Sequence, residues 1–238
     1  MEIKNGRVLF GDLLKGKLVK RYKRFLADIK LDSGELITAH CANSGSMKGC
    51  IMEGADVYVS PQNRPERKLK YTWELIKMPD SLVGVNTSIP NKLVKSAIES
   101  KKIKQFEKYP KVISEVKTSD KTRLDLMLLD EFDNKFYVEI KNCTLVENGK
   151  AMFPDAVTTR GQKHLKELMD LKEKGYYSAV FFLIQRMDAK CFSPADHIDP
   201  EYGKLLRKAF EKGVDIVAFD TCLTKNSIEI RENIKVVL

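Results

Sequence analysis

Two apolar segments joined by a polar turn form the stretch "RLDLMLLDEFDNKFYVEIKN" at positions 123–142, and three charged residues lie within those apolar segments. Asp125 lies in its first half, and Glu139 with Lys141 lies in its second half. Charged side chains are rarely buried unless they are paired or hold a metal. The stretch is therefore either a pair of strands with a solvated charged side or part of a reactive site.

Strand geometry favours a site, because residues two apart on a strand point to the same side. Glu139 and Lys141 then share one side of the second strand, opposite an apolar side. If the turn centres near Phe132, Asp125 pairs directly with Glu139, and directly opposed Cβ atoms lie about 5 Å apart. The first strand is predicted to carry an apolar face that Asp125 opposes. That face consists of Leu124, Leu126 and Leu128.

Two opposed carboxylates and a lysine supply what phosphodiester hydrolysis needs. The carboxylates repel unless a cation lies between them, and Mg²⁺ prefers such hard oxygen ligands. A divalent ion polarises the phosphodiester and lowers the pKa of its bound water, while Lys141 orients that water or stabilises developing charge. The predicted catalytic residues are therefore Asp125, Glu139 and Lys141, with Mg²⁺ or Mn²⁺ as cofactor. The alternative is an ordinary cross-strand set of ion pairs, which contributes little to stability.

Further candidates lie on the predicted neighbouring helices. Glu99, on a helix that begins near Asn91, could complete the metal shell, although nothing local requires this and an exposed helix glutamate is the favoured interpretation. Arg160 and Gln162 lie near the start of a strong helix, "DAVTTRGQKHLKELMDLKEKG", where backbone N–H groups favour anions. A phosphate contact and a solvated helix face both fit these two residues. Asp155 suits either a metal ligand or a helix N-cap.

Two basic clusters interleaved with aromatic residues indicate a nucleic-acid surface. From Leu13 to Ala27 the chain has six basic residues, no acid, and the aromatic residues Tyr22 and Phe25. A second basic cluster precedes Tyr71 and Trp73. Cations for phosphates and aromatic faces for bases are typical of single-strand binders, whereas lysine-rich strand edges are the alternative. The predicted contact residues are Lys17, Lys20, Arg21, Lys23, Arg24, Arg64, Arg67 and Lys68.

The elements that position these residues divide into two groups. Residues 1–85 alternate apolar and polar residues between turns, which predicts a small barrel of the oligonucleotide-binding (OB) type. Residues 86–238 alternate strands with helices, which predicts an α/β domain with helices flanking a mixed sheet. The boundary is expected near residues 80–90.

Composition limits the setting in which the protein acts. The 238 residues carry a formal charge of +9, which favours a polyanionic partner. No apolar run approaches the roughly 20 residues that span a bilayer, and the first residues do not resemble a signal peptide. The five cysteines contain no C-x-x-C pair and are expected to be reduced thiols. We expect a cytoplasmic protein with no membrane partner.

Several stretches together resemble the sugar fermentation stimulation protein A family. They are "CANSGSMKGC", "RLDLMLL", "YVEIKNCTLVENGKAMFPDAVTTRGQKHLKEL" and "VDIVAFDT". The resemblance implies an N-terminal OB-like domain, a C-terminal domain similar to the PD-(D/E)XK nucleases, non-specific DNA binding and a regulatory role in sugar (maltose) metabolism. By position, Asp125 matches the metal-binding aspartate, and Glu139 with Lys141 matches the E-x-K motif. Ala42 departs from the proline of the family's "C-P-N-[ST]-G-S-M" turn.

Three functions follow as hypotheses. The first is a DNA-binding protein with a metal-dependent nuclease-like centre. The second is a DNA-binding regulator that keeps the fold without turnover. The third is an RNA-binding or RNA-processing factor, because barrel chemistry alone does not separate DNA from RNA. A homodimer is compatible with each.

Overall fold

The computed structural model describes residues 1–62, 65–120 and 122–238. Within them, the helices are α1 (Pro90–Glu99), α2 (Thr159–Glu173) and α3 (Pro200–Glu211), with a short 3-10 helix at Lys104–Phe106. The strands, numbered along the chain, are β1 (Glu2–Lys4), β2 (Arg7–Leu9), β3 (Leu14–Tyr22), β4 (Leu26–Leu31), β5 (Leu36–Cys41), β6 (Asp56–Pro61), β7 (Tyr71–Lys77), β8 (Leu82–Gly84), β9 (Lys111–Ser119), β10 (Thr122–Leu129), β11 (Lys135–Cys143), β12 (Leu145–Glu147), β13 (Lys150–Phe153), β14 (Tyr177–Ile184), β15 (Cys191–Pro194), β16 (Asp215–Leu223), β17 (Ser227–Asn233) and β18 (Lys235–Val236).

The N-terminal half forms a closed barrel. Its sheet runs in the order β5-β4-β3-β6-β7-β8, and a parallel pairing of β5 with β7 closes the first five strands. Alternating residues of these strands point inward and pack around Trp73, which is fully buried. The predicted OB-type barrel is confirmed.

The C-terminal half is a mixed sheet covered on both faces. The strand order is β1-β2-β17-β16-β14-β11-β10-β9. The apolar strand β14 lies in its interior, parallel to both β11 and β16, which explains why every residue after Tyr177 is buried. Helix α1 packs against one face, and helices α2 and α3 pack against the other. The predicted α/β domain, with helices flanking a mixed sheet, is confirmed.

The first ten residues do not lie in the barrel, where the sequence placed them. Strands β1 and β2 pair with each other and then with β17, at the edge of the large sheet. Val8 lies opposite Ile228, and both are fully buried in the core beneath α1. Burial of this apolar position outweighs the proximity of residues 2–9 to the barrel strands in sequence.

A smaller sheet, β12-β13-β15-β18, completes the second half. Its hairpin turns at Asn148 and Gly149, and both residues have a positive φ, as a two-residue turn of this type requires. Helix α2 begins later than the stretch that starts at Asp155 predicts. Val157 lies before the N-cap, Thr158, and is 69% exposed.

No helix in the described part of the chain is long and apolar enough to cross a membrane.

Candidate metal centre

The hairpin of β10 and β11 sets the register of the site. The ladder pairs Leu129 with Lys135 at the turn and ends at Leu126 with Val138. The Asp130 carboxylate accepts the backbone N–H groups of Phe132 and Asn134, both at 2.9 Å, and so fixes the turn. The paired register stops one step before Asp125 and Glu139, so their direct pairing stays a prediction.

The first strand does not keep a single apolar face. Leu126 and Leu128 pack in the core beneath α1, whereas Leu124 packs in the core beneath α2. The strand therefore changes the side to which its apolar residues point at Asp125. On the neighbouring strand β9, Glu115 lies between the residues paired with Leu124 and Leu126 and has a φ of 57°. Such a bend re-aims one side chain out of the regular pleat. The predicted face of three leucines is wrong for this reason.

The Asp125 carboxylate is anchored by two neighbours. Oδ2 accepts the backbone N–H of Ile140 at 2.8 Å, and Oδ1 accepts the Asn91 side-chain amide of α1 at 2.7 Å. Burial and the negative charge of Glu139 raise the pKa of Asp125 to about 6, against these hydrogen bonds and the Lys141 charge. The two carboxylates are thus close enough to repel each other.

Glu139 is 3% exposed and has one engaged and one free oxygen. Lys141 Nζ donates to Oε1 at 2.6 Å, and Nδ1 of His164 contacts the same oxygen. Burial by itself would raise the pKa of Glu139, but the Lys141 and His164 partners outweigh it and hold the pKa below its ordinary value. Oε2 is buried and has no hydrogen-bond partner in the structure.

A divalent cation fits these donors. A buried carboxylate oxygen without a partner is costly, and a hard cation beside Asp125 would satisfy it. The described residues contain no cluster of three or more His, Cys, Asp or Glu side chains arranged to hold a metal. Two carboxylates nevertheless suffice for Mg²⁺, which keeps several waters and takes its remaining ligands from substrate phosphates.

Glu99 is not brought to the carboxylate pair. It is 47% exposed at the end of α1, where it pairs with Lys95 at 3.8 Å. Asn91, which contacts Asp125, lies eight residues earlier, a rise of about 12 Å along the helix. Asn91 therefore occupies the helix position beside the centre that was predicted for Glu99.

His164 belongs to the site, although it is not among the catalytic or metal-binding residues that the sequence predicts. It lies 3.2 Å from Lys141 Nζ, and the exposed Arg160 extends its Nε to 3.5 Å from the other ring nitrogen. His164 lies on the same buried side of α2 as Gly161 and Leu165. A histidine at such a position was the feature of the sequence that could have indicated its role. Arg160 is thus at the rim of the centre.

Gln162 is engaged elsewhere. Its amide donates to both oxygens of Asp199, at 3.0 and 3.1 Å, and Asp199 caps α3. The structure therefore gives this residue a helix-joining contact in place of the predicted phosphate contact.

The basic residues of the barrel have different roles. Lys17 pairs with Asp56 at 2.6 Å, and Lys20 lies 3.7 Å from Asp28. Both pairs are exposed, so they contribute little to stability and leave the lysines accessible. In the β3–β4 turn, Lys23 and Arg24 are exposed.

Arg21 holds a barrel loop. Its guanidinium donates to the carbonyl oxygens of Asn43 and Gly45, at 2.8 and 2.9 Å. Within that loop, Asn43 Oδ1 accepts the N–H of Gly45 at 2.9 Å. The turn therefore forms even though Ala42 replaces the expected proline.

The second basic cluster is only partly a surface. Arg67 lines a cleft beside His40, and Lys68 is exposed. Arg64 lies outside the described residues. Trp73 cannot stack on a base, because its ring fills the barrel core and its Nε1 donates to the carbonyl of Leu75.

Asp155 is not the N-cap of α2, and it does not contact Asp125 or Glu139. Its Oδ2 accepts the N–H of Met47 at 2.8 Å, and its carbonyl accepts the Ser46 hydroxyl at 2.7 Å. The cap of α2 is Thr158, whose hydroxyl accepts the N–H of Gly161. Asp155 therefore joins the barrel loop to the α/β half.

Comparisons with known proteins agree with this architecture. A family model described as "SfsA N-terminal OB domain" matches residues 19–85, and one described as "Sugar fermentation stimulation protein RE domain" matches residues 88–227. A sugar fermentation stimulation protein homolog from Geotalea daltonii is 47% identical over 97% of this chain and 99% of its own. One from Crocosphaera subtropica is 50% identical over 87% and 88%. The solved structure of Pyrococcus furiosus SfsA in complex with Ca²⁺ aligns over 100% of both chains, with a TM-score of 0.89 and 24% identity, and so shares the fold.

Proposed function

The chain belongs to the sugar fermentation stimulation protein family, and on that premise we propose that it is a DNA-binding protein with a divalent-metal-dependent phosphodiesterase centre. The observation that carries the proposal is the buried, unpartnered Oε2 of Glu139, whose charge lies close enough to Asp125 to act on that carboxylate. Burial and the charge of Glu139 together raise the pKa of Asp125 to about 6, and a cation at this position would relieve the repulsion between the two carboxylates. The Ca²⁺ complex of the Pyrococcus furiosus relative supports a divalent ion.

Asp125 and Glu139 would hold the ion, which when bound activates a water and polarises the phosphodiester. The Asn91 amide and the Ile140 N–H keep the Asp125 carboxylate in place. Lys141 and His164 engage one oxygen of Glu139, which leaves the other oxygen directed to the ion.

Lys141 has a second role in this proposal. Its side chain is 11% exposed, and it lines a cleft that opens to solvent. A lysine ammonium at the edge of the centre orients the attacking water and stabilises the charge that develops on the phosphate. The exposed Arg160, on the neighbouring helix, adds a positive charge for a flanking phosphate.

A regulator that binds DNA without cleaving it is the second candidate. The observation that favours it is the distance of Glu99 from the centre, since two carboxylates give a sparser ligand set than three. The formal charge of +9 and the exposed Lys23, Arg24 and Lys68 support binding in either case.

Labelled DNA and RNA, each incubated with the full chain and Mg²⁺ or Mn²⁺, separate the candidates. We expect metal-dependent cleavage of DNA that Glu139→Gln abolishes. Glu99→Gln is the matched control and should cleave at the wild-type rate, because its carboxylate lies outside the centre. Salt-sensitive binding without cleavage would favour the regulator. Preference for RNA would assign the protein to RNA processing, and absence of binding at low salt would contradict every candidate.

A further inference from the structure

Between the two halves the structure has a series of connected clefts, and we propose that they form one groove that binds single-stranded DNA across the metal centre. This inference rests on the nucleic-acid binding in the proposed function and adds the form of the substrate and its path. It follows from which residues neighbouring clefts share, from the charges along them and from the depth of the centre.

Four clefts follow one another. The barrel cleft, about 820 Å³, has His40 and Arg67 in its wall. It shares Ser88 and Lys92 with the helix cleft, about 300 Å³, which contains Asp125. These shared residues lie at the start of α1 and lead from the barrel to the first carboxylate.

The path continues past the second half of the centre. Thr87 lines both the helix cleft and the lysine cleft, about 330 Å³, which contains Lys141. The lysine cleft shares Gly45 and Phe153 with the loop cleft, about 450 Å³, which contains Arg24. One continuous line thus passes Asp125 and Lys141 between two outer clefts.

Cations without an ion-pair partner mark this line. Among the residues the structure describes, Arg67, Lys92 and Arg24 form no salt bridge. They lie in the barrel cleft, at its junction with the helix cleft, and in the loop cleft. Unpaired cations on both sides of a reactive centre suit successive phosphates of one backbone.

The depth of the centre favours one strand over a duplex. Glu139 is almost completely buried, and Lys141 is barely exposed. Each cleft has the volume of a pocket for a small molecule, so each fits about one nucleotide. A flexible single strand can bring its phosphate down between the two walls, whereas a stiff duplex cannot follow such a recess.

Hydrogen bonds join the barrel to the α/β half at both ends of the groove, so its two walls are held in place relative to each other. Thr87 donates its backbone N–H to the Ala42 carbonyl at 3.0 Å, beside the centre. At the far end, Asp155 accepts the N–H of Met47 and its carbonyl accepts the Ser46 hydroxyl. Phe153, half-buried in the wall shared by the last two clefts, offers an aromatic edge to a base.

The test measures fluorescence anisotropy of a labelled DNA strand of about 16 nucleotides, alone or annealed to its complement, with the full chain in EDTA so that no cleavage occurs. We expect the single strand to bind about tenfold tighter than the duplex. Lys92→Ala should weaken single-strand binding about three- to tenfold and reduce the slope of log K against log salt by about 0.7. Lys204→Ala removes an exposed lysine of α3 that lines none of these clefts, and should change neither quantity.

Equal or tighter binding of the duplex would overturn the proposal, as would equal effects of Lys92→Ala and Lys204→Ala. Tighter binding of an RNA strand of the same sequence would overturn the assignment to DNA. The groove and the nuclease can fail separately. If single-strand binding depends on Lys92 but no cleavage occurs in Mg²⁺, the groove is supported and the nuclease is contradicted. If cleavage occurs and Lys92→Ala has no effect on binding, the groove alone is contradicted.

Discussion

Asp125 accepts the backbone N–H of Ile140 at 2.8 Å at the step where the β10–β11 ladder ends. A side-chain carboxylate here satisfies a strand N–H that has left the regular pairing. The contact holds Asp125 against the strand that carries Glu139 and Lys141. The same hydrogen bond therefore lies where the β10–β11 pairing ends and holds the Asp125 carboxylate near Glu139.

Removing the charge of Asp125 should increase the stability of the metal-free protein while it abolishes metal binding. Asp125→Asn keeps one oxygen for the Ile140 N–H but ends the repulsion with Glu139 that contributes to the raised pKa of about 6. We expect the metal-free protein to gain about 1 kcal/mol in its free energy of unfolding and to lose Mn²⁺ binding. Urea unfolding and titration calorimetry measure the two effects. A loss of stability together with unchanged Mn²⁺ affinity would contradict this interpretation.

His164 is expected to position Glu139. His164→Ala leaves a cavity and removes one partner of a buried carboxylate, at a cost of about 1–3 kcal/mol in the free energy of unfolding. His164→Asn restores a donor and should recover part of the Mn²⁺ affinity that alanine loses. Calorimetric titration of both variants checks this. If asparagine recovers stability but none of the affinity, the contact to Glu139 has only a structural role.

Asp155 should control how firmly the barrel loop is held to the α/β half. Asp155→Ala removes the acceptor of the Met47 N–H, and Met47 is fully buried. We expect faster hydrogen exchange at that amide and a loss of about 1–2 kcal/mol in stability. Asp170→Asn, on the exposed side of α2, is the control and should leave the Met47 amide protected. Equal protection of Met47 in both variants would show that the loop holds itself.

Glu74 should make stability depend on pH. Burial raises the pKa of this barrel carboxyl above 4.5, against hydrogen bonds from Ser60 and Asn86. Since the folded state then holds its proton more tightly than the unfolded chain, stability from this group is greatest at low pH and falls as pH rises through the folded pKa. Glu74→Gln should remove that fall. Urea unfolding between about pH 4 and about pH 8 measures it, and a constant difference between the two proteins would contradict the prediction.

The sequence predicts the fold well where patterning is regular. Alternation of apolar and polar residues identifies barrel strands such as β4 and β5, and the apolar run at 177–184 identifies a strand covered on both faces. The hairpin register from Leu126 to Leu129 also follows, because Asp130 fixes the turn.

Long-range pairing and backbone bending lie beyond such patterns. Residues 2–9 join β17, more than two hundred positions away, because Val8 completes the apolar core there. The bend at Asp125, which sends Leu124 into the opposite core, depends on the backbone of Glu115 on a neighbouring strand. Glu99 fails as a ligand because helix geometry places Asn91, and not position 99, beside the pair.

The most direct test of the central claim is anomalous diffraction from crystals of the full chain soaked in Mn²⁺. The Asp125 carboxylate and the free Oε2 of Glu139 should both lie within about 2.0–2.6 Å of one anomalous peak. In crystals of Glu139→Gln that peak should disappear, and in Glu99→Gln it should remain. A peak elsewhere, or none at an Mn²⁺ concentration at which the protein binds the ion in solution, would contradict a metal centre on this hairpin.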